Sequence, residues 1–191
     1  QDSSSAASDV YKRQELVMAT DPDADRIGIA IKNTEGDWVL LNGNMTGSLL
    51  VGYILEAWKN TKGFVGNEYI VKTIVTTQLM DAIAAHYGVK CYNTLTGFKF
   101  IGSLMTSLES KEQFIVGGEE SYGYLVGDHV RDKDAIVSAV MIAEMAAYYK
   151  DQGSSLYDAL INLYVEHGFY RERLISVTKK GKAGVEEIQA I

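Results

Sequence analysis

The stretch YIVKTIVTTQLMDAIAAHYGVKCY, residues 69–92, decides the fold class. Tyr69 to Val75 is apolar and β-branched, as a buried strand requires. Thr76 or Thr77 can cap a helix running to about Tyr87, Gly88 stops it, and Val89 to Tyr92 returns to strand. Strand, helix and strand of these lengths make a right-handed parallel crossover. The alternation continues downstream. A helix is expected over about Phe98 to Leu108, a short strand at Phe114 to Val116, and helices over about Asp132 to Lys150 and Ser155 to Val165. A strand at Tyr170 to Val177 and a helix beginning near Lys182 close the chain. Helix and strand alternating in this way predict an α/β layer fold.

Upstream, Leu16 to Thr20 and Ile27 to Ile31 flank the acidic run Asp21-Pro22-Asp23-Ala24-Asp25-Arg26, which reads as strand, tight loop, strand. Asn33 to Gly36 turns the chain into a third strand, Trp38 to Leu41, starting an antiparallel meander. Between meander and crossover, Leu49, Leu50, Tyr53, Ile54, Ala57 and Trp58 share one face of a helix over Asn44 to Lys59, with Asn44 or Thr46 as its cap. Residues 1–14, QDSSSAASDVYKRQ, show no periodicity and read as a non-native or disordered leader. Pro22, the only proline, is expected to be buried and to stiffen the loop where the carboxylates crowd.

Composition narrows the function. Among 191 residues there are 25 acidic and 18 basic side chains, a net charge of −7, which argues against nucleic acid or an anionic membrane as the main partner. With 47% apolar and 23% charged residues the chain is globular in type. A single cysteine, Cys91, excludes an internal disulfide framework and suits the cytoplasm; it is expected to be buried and inert. The longest apolar stretch, Ala135 to Tyr149, is interrupted by Ser138 and Glu144 and falls short of the ~20 residues of a membrane span. His86, His129 and His167 are scattered without ligand spacing.

Asp21, Asp23 and Asp25 lie two apart, so a looped backbone can aim all three at one point, where they repel unless a cation neutralises them. Oxygen ligands suit Mg2+ or Ca2+, and three carboxylates leave positions for water or phosphate. A solvated acidic turn is the plainer reading. An EF-hand is excluded, because Arg26 and Lys32 stand where that loop needs glycine and glutamate. Gly117 to Gly123 follows a strand end, where α/β sheets bind ligands, and Glu119 and Ser121 suit sugar hydroxyls; an ordinary turn fits equally well. Arg131 and Lys133 lie near a helix N-terminus that could hold an anion, against the alternative of Asp132 or Asp134 simply capping it. Thr96-Gly97-Phe98-Lys99 by itself is only the start of a helix.

Taken in order, ATDPDADRIG, TLTGFKFIG and GGEESYG followed by DHVRDKDA closely resemble the α-D-phosphohexomutase superfamily and its phosphoglucomutase branch, over roughly Glu15 to Ile191. The resemblance implies Asp21, Asp23 and Asp25 as Mg2+ ligands, and Arg26 beside the phosphates as a catalytic residue. It implies Glu119, Ser121, Thr96, Gly97 and Phe98 at the sugar. Lys133, with Arg131 beside it, matches a substrate-contacting lysine sometimes assigned to proton transfer. Tyr122 stands where glucose-type members carry an aromatic. The implied reaction moves a phosphoryl group between O1 and O6 of a hexose through a bisphosphate, which needs positioning and charge neutralisation. The implied fold is a three-layer α/β/α domain with a mixed four-stranded sheet, the acidic loop sitting outside it on a β-hairpin remnant of the preceding domain.

Two family segments are not found in this sequence: a T-A-S-H-N-like loop carrying the nucleophilic serine, and a phosphate loop of R-x-S-G-T character. The expected organisation is a leader over 1–14, the end of a second domain over 15–43 and a sugar-binding third domain over 44–191, with a phosphosugar and the remaining domains of a parent enzyme as partners. The 191 residues alone are expected to have no mutase activity. They are also expected to bind metal and ligand weakly, because the other phosphate donors and the serine phosphate are missing and because the acidic and sugar loops belong to different domains whose spacing can drift without the rest of the enzyme. The alternatives are a phosphopentomutase or glucose-1,6-bisphosphate synthase relative, and a non-catalytic sugar-phosphate-binding module.

Overall fold

A computed structural model describes residues 14–173 and 175–190. Its strands are β1 (Leu16–Thr20), β2 (Ile27–Lys32), β3 (Trp38–Leu41), β4 (Glu68–Thr73), β5 (Lys90–Thr94), β6 (Gln113–Gly118) and β7 (Tyr124–Val126). Its helices are α1 (Gly43–Thr61), α2 (Leu79–Tyr87), α3 (Phe98–Leu108), α4 (Ala135–Asp151), α5 (Leu156–His167) and α6 (Gly181–Gln189). The expected leader lies outside the described residues apart from Gln14.

β1, β2 and β3 form an antiparallel sheet, with Thr20 opposite Ile27 at the acidic loop and Ile29 opposite Leu41. In β2 the period of two is plain: Ile27, Ile29 and Ile31 are buried and their neighbours are partly exposed. The second sheet has the order β5-β4-β6-β7, parallel except for the antiparallel β6–β7 pair. β4 is buried along its whole length, as a central strand covered on both faces must be. Tyr69, Val71 and Phe114 face α3, with Phe98, Ile101 and Met105. Ile70, Ile115 and Val116 join the main core with Leu79 and Ile83 of α2 and Leu49 to Leu55 of α1. Helix, mixed four-stranded sheet and helix make the expected three layers.

The acidic loop's sheet is a separate antiparallel sheet that precedes the α/β/α layers and packs onto them. Ile27, Ile29, Ile31 and Leu41 belong to the same core as α1, α4 and α5. Helix α1 is therefore covered on most sides along its first three turns, as a helix between two sheets has to be. Other expectations need correcting for local reasons. The α1 cap is Asn42, whose side-chain oxygen accepts from Met45 N at 2.9 Å; Asn44 instead accepts from Thr77 N at 3.0 Å, pinning α1 to the β4–α2 loop. α2 starts at Leu79, and Thr77 Oγ1 accepts that residue's amide at 3.1 Å. β4 stops at Thr73, leaving Ile74 and Val75 exposed. No strand forms among the described residues of 170–177, where Ile175 and Val177 lie exposed. Pro22 is exposed, not buried. No helix among the described residues is long and apolar enough to cross a membrane.

Candidate metal and sugar-phosphate site

The acidic loop is folded by its own carboxylate. Asp21 Oδ1 accepts from the amides of Asp25 (3.2 Å) and Arg26 (3.1 Å), and Ala24 N donates to Asp21 O at 3.1 Å. Ala24 takes a left-handed φ of 55°, which turns the chain sharply enough to bring one oxygen from each of Asp21, Asp23 and Asp25 within 4.8 Å of one another. Burial pushes the Asp21 carboxyl up, but the Arg26 amide, the Asp25 side chain and amide, and the Arg26 charge outweigh it and hold the group below its ordinary range. One oxygen of Asp25, Oδ2, meets Lys133 Nζ at 2.9 Å. Its other oxygen, Oδ1, is buried without a hydrogen-bond partner, Arg26 Nε standing off at 3.8 Å. A buried carboxylate oxygen left unpartnered beside two further carboxylates fits a hard divalent cation.

The sugar loop follows β6 and is tied down on two sides. Glu119 is buried, and its Oε1 accepts from Gly97 N at 2.9 Å. Glu120 Oε2 accepts from the hydroxyls of Thr73 and Thr76, each at 3.1 Å, while those hydroxyls lie 2.7 Å apart. Gly43 permits this seat: a Cβ there would fall 1.9 Å from the Glu120 carbonyl oxygen. Tyr122 is left-handed at φ 70°, a conformation costly for a bulky residue, and it leaves Ser121 half-exposed.

The two loops are joined to each other. Ile27 N donates to Tyr122 O at 3.1 Å, Arg26 bridges Gly123 in antiparallel fashion, and Ala135 N donates to Ala24 O at 3.2 Å. The spacing expected to drift is thus fixed by main-chain hydrogen bonds. Lys133 reaches across both loops, with Nζ 5.7 Å from the Phe98 ring centroid. Burial works against its charge, but Asp25, by hydrogen bond and by charge, with Asp132 and Glu119 behind it, keeps the ammonium above the usual lysine range.

Asp21, Asp23, Asp25, Arg26, Gly97, Glu119, Ser121 and Lys133 therefore belong to one interlinked set of loops. Phe98 is a core residue beneath Lys133, and Thr96 is exposed at the rim. Arg131 turns away: its guanidinium donates to Asp128 O at 2.6 Å and to Glu109 at 3.3 Å. The α4 N-terminus is capped by Asp134, which accepts from Ile136 N and Val137 N at 2.9 Å each, and Ala135 N serves the acidic loop, so these amides do not wait for an anion. Sequence reading missed Glu120, Thr73 and Thr76, whose only signal is a contact between residues 44 or more apart. His86 and His167 are not scattered but meet edge to face at 5.2 Å, with Glu166 beside both. Cys91 is half-buried, and burial followed by Asp81 pushes its thiol up, in keeping with an inert group.

Residues 42–164 match the family model described as phosphoglucomutase/phosphomannomutase, alpha/beta/alpha domain III. A phosphoglucomutase of Staphylococcus haemolyticus is 36% identical over 176 residues, covering 92% of this chain and 31% of that protein. A Thermus thermophilus structure assigned as a phosphomannomutase superposes with TM-score 0.65 at 25% identity, over 80% of this chain and 31% of the other. The Paramecium phosphoglucomutase parafusin, in an open form, superposes at 0.62 with 23% identity over 84% and 27%, a likeness of fold. The chain thus spans about a third of the length of the relatives it matches. By these matches, and with the fold and loops already described, it belongs to the phosphoglucomutase/phosphomannomutase family.

Proposed function

We propose that this chain carries the metal-binding loop (in residues 15–43) and the sugar-binding domain (44–191) of a Mg2+-dependent, cytoplasmic phosphoglucomutase. The reaction interconverts glucose 1-phosphate and glucose 6-phosphate through a phosphoserine enzyme and a 1,6-bisphosphate. The observation that carries the reading is the convergence of Asp21, Asp23 and Asp25, with the orphaned Asp25 oxygen among them, bonded through main chain to the loop of Glu119 and Ser121.

The residues divide the work by their chemistry. Glu119 has committed Oε1 to Gly97 N, which fixes the rotamer and leaves Oε2 to accept from a sugar hydroxyl. Ser121, half-exposed beside it, can donate or accept. A short carboxylate and hydroxyl pair suits a substrate that must bind in two orientations. Arg26 offers a half-exposed guanidinium to phosphate oxygens. Lys133 holds a proton within reach of both loops. A hard divalent ion on the three carboxylates would supply charge neutralisation at the transferred phosphoryl group. The serine nucleophile and the second phosphate loop would come from the rest of an enzyme of the relatives' length, so the 191 residues alone support no turnover.

Calorimetric titration with MgCl2 tests the metal half of the reading: saturable binding is expected, and its loss in Asp25→Asn. Heat traces indistinguishable between the two chains sink it. The interlocked loops lend specific support to the binding-module alternative as well, since they hold the three carboxylates at a fixed spacing within this chain. Glucose 1-phosphate binding without any turnover, even by the full-length parent, would favour that alternative. Competition between glucose 1-phosphate and ribose 1-phosphate on the parent separates the hexose from the pentose reading; Tyr122 favours glucose.

A further inference from the structure

Lys133 occupies a place that the sugar alone does not explain. Its ammonium lies 2.9 Å from Asp25 Oδ2 and 3.7 Å from Asp132 Oδ1, and the side chain is only 12% exposed. The stem reaches this point by crossing Gly123, where a Cβ would fall 2.1 Å from Lys133 Cδ and 2.9 Å from Cγ. Gly123 is itself the residue that bridges Arg26. The path of the lysine is thus built into the seam between the two loops. At its end stand three carboxylates faced by two cations, Lys133 and Arg26, of which only Lys133 makes a close contact: Arg26 Nε keeps 3.8 Å from Asp25.

We propose that Lys133 is the tethered counter-ion of the acidic loop, holding Asp25 in place while no metal is bound and yielding that oxygen when a divalent cation arrives. The inference rests on the metal-loop reading above and concerns how the loop is kept ready. Without a counter-ion the carboxylates would repel and the Ala24 turn would open; with both cations present, Lys133 and the metal ion compete for one carboxylate and repel each other at a few ångströms. Occupancy of the metal site therefore sets where the ammonium points. By linkage, an anion that draws Lys133 away from Asp25 tightens metal binding, and the metal tightens binding of that anion by the same factor.

The test uses the 191-residue chain, Mn2+ as the probe followed by water-proton relaxation, and thermal unfolding with and without MgCl2. Lys133→Met is expected to bind Mn2+ about tenfold more tightly, from loss of one cation near the site, and to unfold at a lower temperature than the parent chain only in the absence of metal. Lys133→Arg, which keeps the charge, should stay within about twofold of the parent chain. Gly123→Ala, which obstructs the stem without touching the charge, should fall between the two. Equal or weaker Mn2+ binding by Lys133→Met overturns the proposal, as does a loss of thermal stability that saturating MgCl2 leaves unchanged, since that marks packing alone. Absence of Mn2+ binding in every chain removes the metal-loop reading first and the counter-ion with it, which separates the two failures.

Discussion

The two sheets make opposite use of their faces. β4 is buried on both sides, between α3 and the α1–α2 layer, and each of its residues is inaccessible. Among the described residues the antiparallel sheet is covered on one side only: Ile27, Ile29 and Ile31 point into the core, while Leu40 is 71% exposed and Trp38 45%. One sheet is finished by this chain and the other is half clad. β2 alternates in sequence as it does in burial, whereas β4 buries even Glu68 and Lys72, so on β4 the helices that cover the strand outweigh its own pattern.

The comparison can be broken most forcefully at the buried positions. Ile70→Ala and Ile29→Ala should each cost about 2–5 kcal/mol, read from urea midpoints; a cost below ~1 kcal/mol at Ile29 would mean that the antiparallel sheet is not part of the common core. Next in size, Glu120→Ala should cost about 1–3 kcal/mol, because the buried Thr73 and Thr76 hydroxyls lose their acceptor. Thr76→Val would then cost less in that background than in the parent chain, a coupling that a double-mutant cycle measures.

A smaller effect is expected with pH. The Val137 amide, against the opposing effect of burial, together with His129 and the Ile136 amide, holds the Asp134 carboxyl below its ordinary value of 3.8. A depressed carboxylate contributes stability that is present above its unfolded value and is lost as pH falls through the folded one. Stability should therefore decline on acidification below about pH 4, and Asp134→Asn should flatten that limb of the curve; an unchanged slope would refute the cap. The smallest effect belongs to the bare face. Leu40→Ala should stay within about 0.5 kcal/mol, and a larger loss would reveal a cover that the described residues do not show.

Much of this was legible in sequence. β1, β3 and α3 run over the residues expected, because each is set off by unambiguous punctuation such as Pro22, Gly36 and Gly97. The parallel crossover pair followed from the 69–92 alternation, whereas the mixed four-stranded sheet was implied by the family resemblance. The spacing of Asp21, Asp23 and Asp25 allowed convergence but fitted a solvated acidic turn as well; the left-handed turn at Ala24 brings them together. What sequence could not supply is distance between remote residues. Lys133 lies two residues from Arg131, a spacing that in a strand would put both on one face, yet one reaches Asp25 and the other Glu109, because the segment between them is irregular and keeps no strand period. The strand expected over Tyr170 to Val177 does not form among the described residues, since alternation offers a strand but only pairing with a neighbour makes one.

The core shared by Ile27, Ile29 and Ile31 with α1, α4 and α5 has a consequence for descent. A genetic exchange joining residues 15–43 of one family member to the following segment of another would have to bring matching side-chain volumes across the junction. These two stretches are thus expected to co-vary as one inherited unit rather than to shuffle as separable modules.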